Sequence, residues 1–80
     1  MFTIANSMKN TRPFDALANA TEQTVEVELK NSQVYKGKLT AFDVHLNIVL
    51  EEAVEVKEGE EKNIGKILLR GDALVTVKNL

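Results

Sequence analysis

The chain has 80 residues, a formal net charge of −2 and 44% hydrophobic residues, which is enough for one small domain and no more. A domain of this size buries only about 60% of the surface its unfolded chain exposes, so its own core gives marginal stability. With no cysteine and a single histidine, disulfides and cysteine-rich zinc sites are excluded, and association with further copies is the remaining route to extra stability.

Residues 1–10 read as a flexible tail before a single domain spanning 11–80, with Met8 an alternative start. The opening lacks the cationic start and apolar run of a secretory signal. No segment reaches the roughly 20 apolar residues of a membrane span. The expectation is a cytoplasmic protein with no membrane partner and no cofactor.

Residues 11–20, TRPFDALANA, form a short helix candidate. Asn10 or Thr11 can cap it, and Pro13 is tolerated in the first turn, where its missing N–H has no helical partner. Phe14, Leu17 and Ala18 make an apolar stripe at helical spacing. A helix this short has to dock on something.

The period then changes to two. In residues 24–30 Val25, Val27 and Leu29 alternate with Thr24, Glu26, Glu28 and Lys30, which predicts a half-buried strand. Asn31-Ser32 is a turn candidate. Residues 33–43 predict a long strand with Gly37 inside it, where glycine marks a bend or bulge. Residues 46–56 predict a third strand and residues 57–63 a polar turn. Residues 64–70 and 73–78 predict the last two strands, joined by Gly71-Asp72 as a hairpin link.

One helix and five strands, one of them bent, predict an all-β fold curled into a small open barrel. Ile67, Leu68 and Leu69 are consecutive, so both faces of their strand are apolar, and Leu74, Val75 and Val77 are similar. A bare apolar edge invites aggregation unless another copy covers it.

Charge is unevenly spread. Glu51, Glu52, Glu55, Glu58, Glu60 and Glu61 fall in one window with only Lys57 and Lys62, leaving 6 acids and 8 bases elsewhere. The plain reading of that window is a solvated loop.

The stretch FDVHLNIVL, residues 42–50, sets Asp43, His45 and Asn47 two apart inside apolar surroundings. Each has a plain alternative. A lone histidine is more often structural, an asparagine often serves a tight turn, and Arg70 at a strand end is ordinarily solvated. One histidine and one carboxylate are too few for a metal site. No nucleophile accompanies the Asp-His pair, so an enzyme is not expected. Lys36, Lys38 and Lys66 read as solvated rather than phosphate-binding. Arg70-Gly71-Asp72 reads as a turn, not an adhesion motif.

These residues carry a resemblance. The chain resembles the Sm and Sm-like (Lsm) family, its archaeal members in particular, over roughly residues 12–78. The first motif covers Val25 to Leu50, with Gly37 and the run Phe42 to Leu50. The second covers Ile64 to Asp72. The helix start, Arg12 to Leu17, is also similar. Ser32 stands where the family usually has glycine, and Leu46 where methionine is common.

The resemblance implies a short N-terminal helix followed by a five-stranded, strongly bent antiparallel sheet. It implies edge-to-edge joining into a homo-oligomeric ring, most often a heptamer, that binds uridine-rich single-stranded RNA at its central hole. Other proteins of RNA metabolism are possible partners. His45, Asn47 and Arg70 match the base-contacting positions, and Asp43, Gly71 and Asp72 the supporting ones. Arg70 and His45 then supply planar surfaces for a base, and Asn47 an amide donor and acceptor for its edge. Asp43 orients Asn47 or His45, and Asp72 steadies Arg70. The run from Asp43 to Asn47 is expected to leave the strand as a loop. The competing readings are an Sm-fold protein scaffold that binds no RNA and, remotely, a metal-dependent hydrolase.

Overall fold

The computed structural model describes residues 3–4 and 13–80, with side chains from residue 15 onward. The elements run β1 (Thr3–Ile4), α1 (Pro13–Ala20), β2 (Thr24–Leu29), β3 (Val34–Phe42), β4 (Ile48–Lys57), β5 (Glu60–Leu69), a 3-10 turn (Gly71–Ala73) and β6 (Leu74–Asn79). The strands form one sheet in the order β1-β6-β2-β3-β4-β5. All pairings are antiparallel except β1 with β6.

Helix α1 starts at Pro13 and carries Asp15 in its first turn, where a carboxylate suits the positive end of the helix dipole. The expected caps Asn10 and Thr11, the side chain of Arg12 and most of the expected tail lie outside the described residues. Thr3–Ile4, also within that tail, instead form β1, pairing with Thr76 and Val77. The helix buries Ala16, Leu17 and Ala20, while Ala18 is exposed. Of the expected stripe, Leu17 is buried and Ala18 is not, and the side chain of Phe14 lies outside the described residues. At the helix exit Glu22 takes φ 69°, and its N–H donates to the Leu39 carbonyl at 2.7 Å, tying α1 to β3.

Val25, Val27 and Leu29 are buried as their alternation predicts. They share one core with Leu17, Leu39, Ile48, Leu50, Leu69, Leu74 and Val77. β5 and β6 are not paired with each other, yet both feed this core, so the sheet is rolled around it as an open barrel. Each fully buried aliphatic side chain contributes about 1.5–3 kcal/mol.

Irregularities in the ladders produce the curvature. Between Lys36 and Lys38 the partners on β4 move from Val54 to Glu51, which is one extra residue on β4. Glu52, inside that bulge, has φ 52°. Gly37 lies opposite, and a β-carbon there would come within 3.1 Å of both Ala53 Cα and Leu50 Cβ. The glycine thus marks a bend, as its place in the sequence predicts.

Two turns differ from expectation. The polar stretch 57–63 is not all turn. Only Glu58-Gly59 turn, with φ 53° and 80°, a two-residue hairpin geometry, and Glu60 to Asn63 belong to β5. These residues are exposed on a hairpin arm beyond the core, so polarity did not stop them pairing with β4. Gly71-Asp72 is not a hairpin link either. β5 pairs with β4 and β6 with β2, so the 3-10 turn carries the chain from one end of the sheet to the other. Two apolar runs around Gly-Asp look the same in sequence whether their strands pair or part.

Candidate nucleic-acid interface

The strand breaks after Phe42, and Asp43 to Asn47 form a loop before β4. Asp43 closes it from both ends. Its N–H donates to the Asn47 carbonyl at 3.1 Å, and its carbonyl accepts from Leu46 N–H at 2.9 Å. Its carboxylate Oδ1 accepts from the backbone N–H of His45 at 2.9 Å and of Asn47 at 3.1 Å. Asn47 Nδ2 donates to Asp43 Oδ2 at 3.1 Å. These bonds favour the charged carboxylate, so the Asn47 amide first, then the backbone N–H groups and the His45 charge, hold the Asp43 pKa below its ordinary 3.8.

Asn47 joins this loop to the second one. Its Oδ1 accepts from the Gly71 N–H at 2.8 Å, across 24 residues of sequence. The carboxylate can only accept and the backbone N–H can only donate, which fixes which way the amide faces. One amide N–H and one oxygen lone pair remain for another molecule. Gly71 is buried against the first loop. A β-carbon there would collide with the His45 carbonyl oxygen and come within 3.0 Å of the Leu46 carbonyl oxygen.

The side chains that face outward are planar or charged. His45 is exposed, and among the described residues no hydrogen bond or ion pair holds its imidazole. Arg70 Nη2 lies 3.2 Å from Asp72 Oδ2, with the arginine side chain 76% exposed. The structure therefore brings Asp43, His45, Asn47 and Gly71 together in one hydrogen-bonded unit, with the Arg70-Asp72 pair flanking Gly71. Asp43 holds the Asn47 side-chain amide, whereas of His45 it holds only the backbone N–H.

Two features of the loop were missed. Val44 is 74% exposed at its tip, and Leu46 has φ 63°. The loop itself is as expected, but the exposure of Val44 and the left-handed backbone of Leu46 have no signal in the apolar run they continue. Lys36, Lys38 and Lys66 each lie within 4.0 Å of a glutamate, Glu61, Glu22 and Glu51 respectively. Such exposed pairs contribute about 0–1 kcal/mol. A surface cavity of about 310 Å³ is lined by Thr24, Lys36, Gly37, Lys38, Glu52, Val54 and Glu61, none of them in the two loops. Among the described residues, no helix is long and apolar enough to cross a membrane.

Comparison with known proteins agrees with this architecture. The model of the LSM domain matches residues 15–79. An snRNP Sm-like protein of Methanococcoides burtonii is 45% identical over 67 residues, 82% of this chain and 93% of that protein. One from Thermoplasma volcanium is 39% identical over 72 residues, covering 89% of this chain and 87% of the relative. Among solved structures, the Pyrococcus abyssii Sm protein in complex with a uridine heptamer is 36% identical, with TM-score 0.81 over 86% of this chain and 99% of that one. A heptameric archaeal Sm protein is 29% identical, with TM-score 0.79 over 82% of this chain and 97% of the other.

Proposed function

Because the chain belongs to the LSM domain family of Sm-like proteins, we propose that it assembles into a homo-oligomeric ring, most simply a heptamer, that binds uridine-rich single-stranded RNA. In this reading it serves as an RNA chaperone or scaffold in RNA processing. The observation that carries the proposal is the Asp43–Asn47–Gly71 hydrogen-bond chain, which locks two loops distant in sequence into one platform. The uridine heptamer held by the Pyrococcus relative supports the choice of ligand.

Each residue then has a role. The His45 imidazole and the Arg70 guanidinium offer faces for a base. Asn47 uses its remaining N–H and lone pair on the base edge. Asp43, Gly71 and Asp72 hold these groups in place. One stacked base contributes about 1–3 kcal/mol, whereas a millimolar complex needs about 4 kcal/mol. A single platform is therefore too weak, and repetition around a ring makes each later contact intramolecular. The reading is one of binding without catalysis.

Native mass spectrometry and fluorescence anisotropy with labelled oligouridine and oligocytidine test it. A ring that prefers oligouridine is expected, with His45→Ala and Arg70→Ala each weakening binding at least ~10-fold while the ring persists. A ring that binds neither oligonucleotide would instead be a protein scaffold, and a ring indifferent to base, or unaffected by both substitutions, would overturn the uridine site.

A further inference from the structure

The rolled sheet has two ends. β5 at one end pairs only with β4 among the described strands, and it exposes Ile64 and Leu68. At the other end β6 would be the edge, but β1 lies on it. Thr3 pairs with Thr76 and Ile4 with Val77, the one parallel ladder of the described sheet. An unpaired edge is a template for any strand that can reach it. Here the chain's own N-terminal strand occupies part of that template.

We propose that β1 is a self-cap on an assembly edge: the N-terminal strand competes with a second copy of this chain for the outer edge of β6. The inference rests on the ring reading above, in which copies join through their sheet edges. β1 is two residues long, the shortest ladder in the sheet, so an incoming strand of β5's ten residues displaces it with a longer run of backbone hydrogen bonds. The cap has the advantage of attachment. Only residues 5–12 separate Ile4 from α1, which keeps β1 near β6 at an effective concentration on the order of millimolar. A free second copy at micromolar concentration has to overcome that local excess.

The device makes assembly more concentration-dependent than the edge alone dictates, because only chains with an open edge accept a neighbour. A cap closed in roughly 70–90% of free chains weakens apparent association about 3–10-fold. It also protects the monomer, since an apolar sheet with both edges bare would pair indiscriminately. A chain started at Met8 would retain α1 and β2 to β6 and lack β1 altogether.

The experiment compares the full chain, a chain lacking residues 1–7, and the full-length variant Ile4→Pro. Proline removes the strand's N–H at that position without shortening the chain. Mass photometry and sedimentation velocity over a dilution series read the concentration of half-assembly, and far-ultraviolet circular dichroism checks folding. Both altered chains are expected to assemble into the same ring at about 3–10-fold lower concentration than the full chain. Unchanged midpoints in a protein that does form rings would overturn the self-cap and leave the ring reading intact. Folded chains that stay monomeric in all three forms would overturn both.

Discussion

Asp43 serves the loop through its charge. Its folded-state pKa is depressed below 3.8, so its stabilising contribution is fully present above about pH 4 and is lost as pH falls through the lower folded value. In Asp43→Asn this part of the acid dependence should vanish. Thermal unfolding from pH 7 to pH 3 should show the wild-type advantage shrinking only below about pH 4. A constant gap would mean that the charge is irrelevant. Gly71 acts through its missing side chain. Since a β-carbon would strike the His45 carbonyl oxygen, Gly71→Ala has to push the two loops apart and break the Asn47 contact. We expect a loss of about 3 kcal/mol in urea unfolding at matched protein concentration, with oligouridine binding lost in parallel.

The turn between β2 and β3 offers a test at the level of an element. Ser32 sits at φ 70°, the left-handed conformation, and Asn31 Oδ1 accepts from the Gln33 N–H at 3.0 Å. Ser32→Gly relieves the β-carbon clash but gains unfolded-state freedom, so a net stabilisation of about 0.5–1 kcal/mol is expected in the urea midpoint. No gain would show that the Asn31 bond already absorbs the strain. Strands with a clean alternation, such as β2, were legible from sequence because one face is buried. The Glu60–Asn63 half of β5 was not, because it protrudes beyond the core and has no buried face to pattern. The crossing at Gly71 was missed for another reason: which strands pair is decided by how the sheet rolls, and local residues do not record that. For the loop, the spacing of Asp43, His45 and Asn47 singled out three residues that share one hydrogen-bonded turn, and the resemblance suggested the loop. The bond from Asn47 to Gly71 needed coordinates.

For the molecule as a whole, the outer edge of β5, unpaired among the described strands, is the place to test assembly. Leu68 is 66% exposed on β5, at the end of the sheet opposite the capped one. Leu68→Glu places a charge on that edge without touching the core. Association should weaken at least ~10-fold in sedimentation velocity, with the circular dichroism spectrum unchanged. Persistence of the assembly would place the contact elsewhere. The Asn47–Gly71 bond also matters to anyone who would redesign the platform. The loop of residues 43–47 cannot be transplanted or randomised alone, because Gly71 would lose its acceptor and the second loop its anchor. A library that keeps the two loops joined has to vary outward positions such as 44, 45 and 70 and treat Asp43, Asn47 and Gly71 as a fixed chassis.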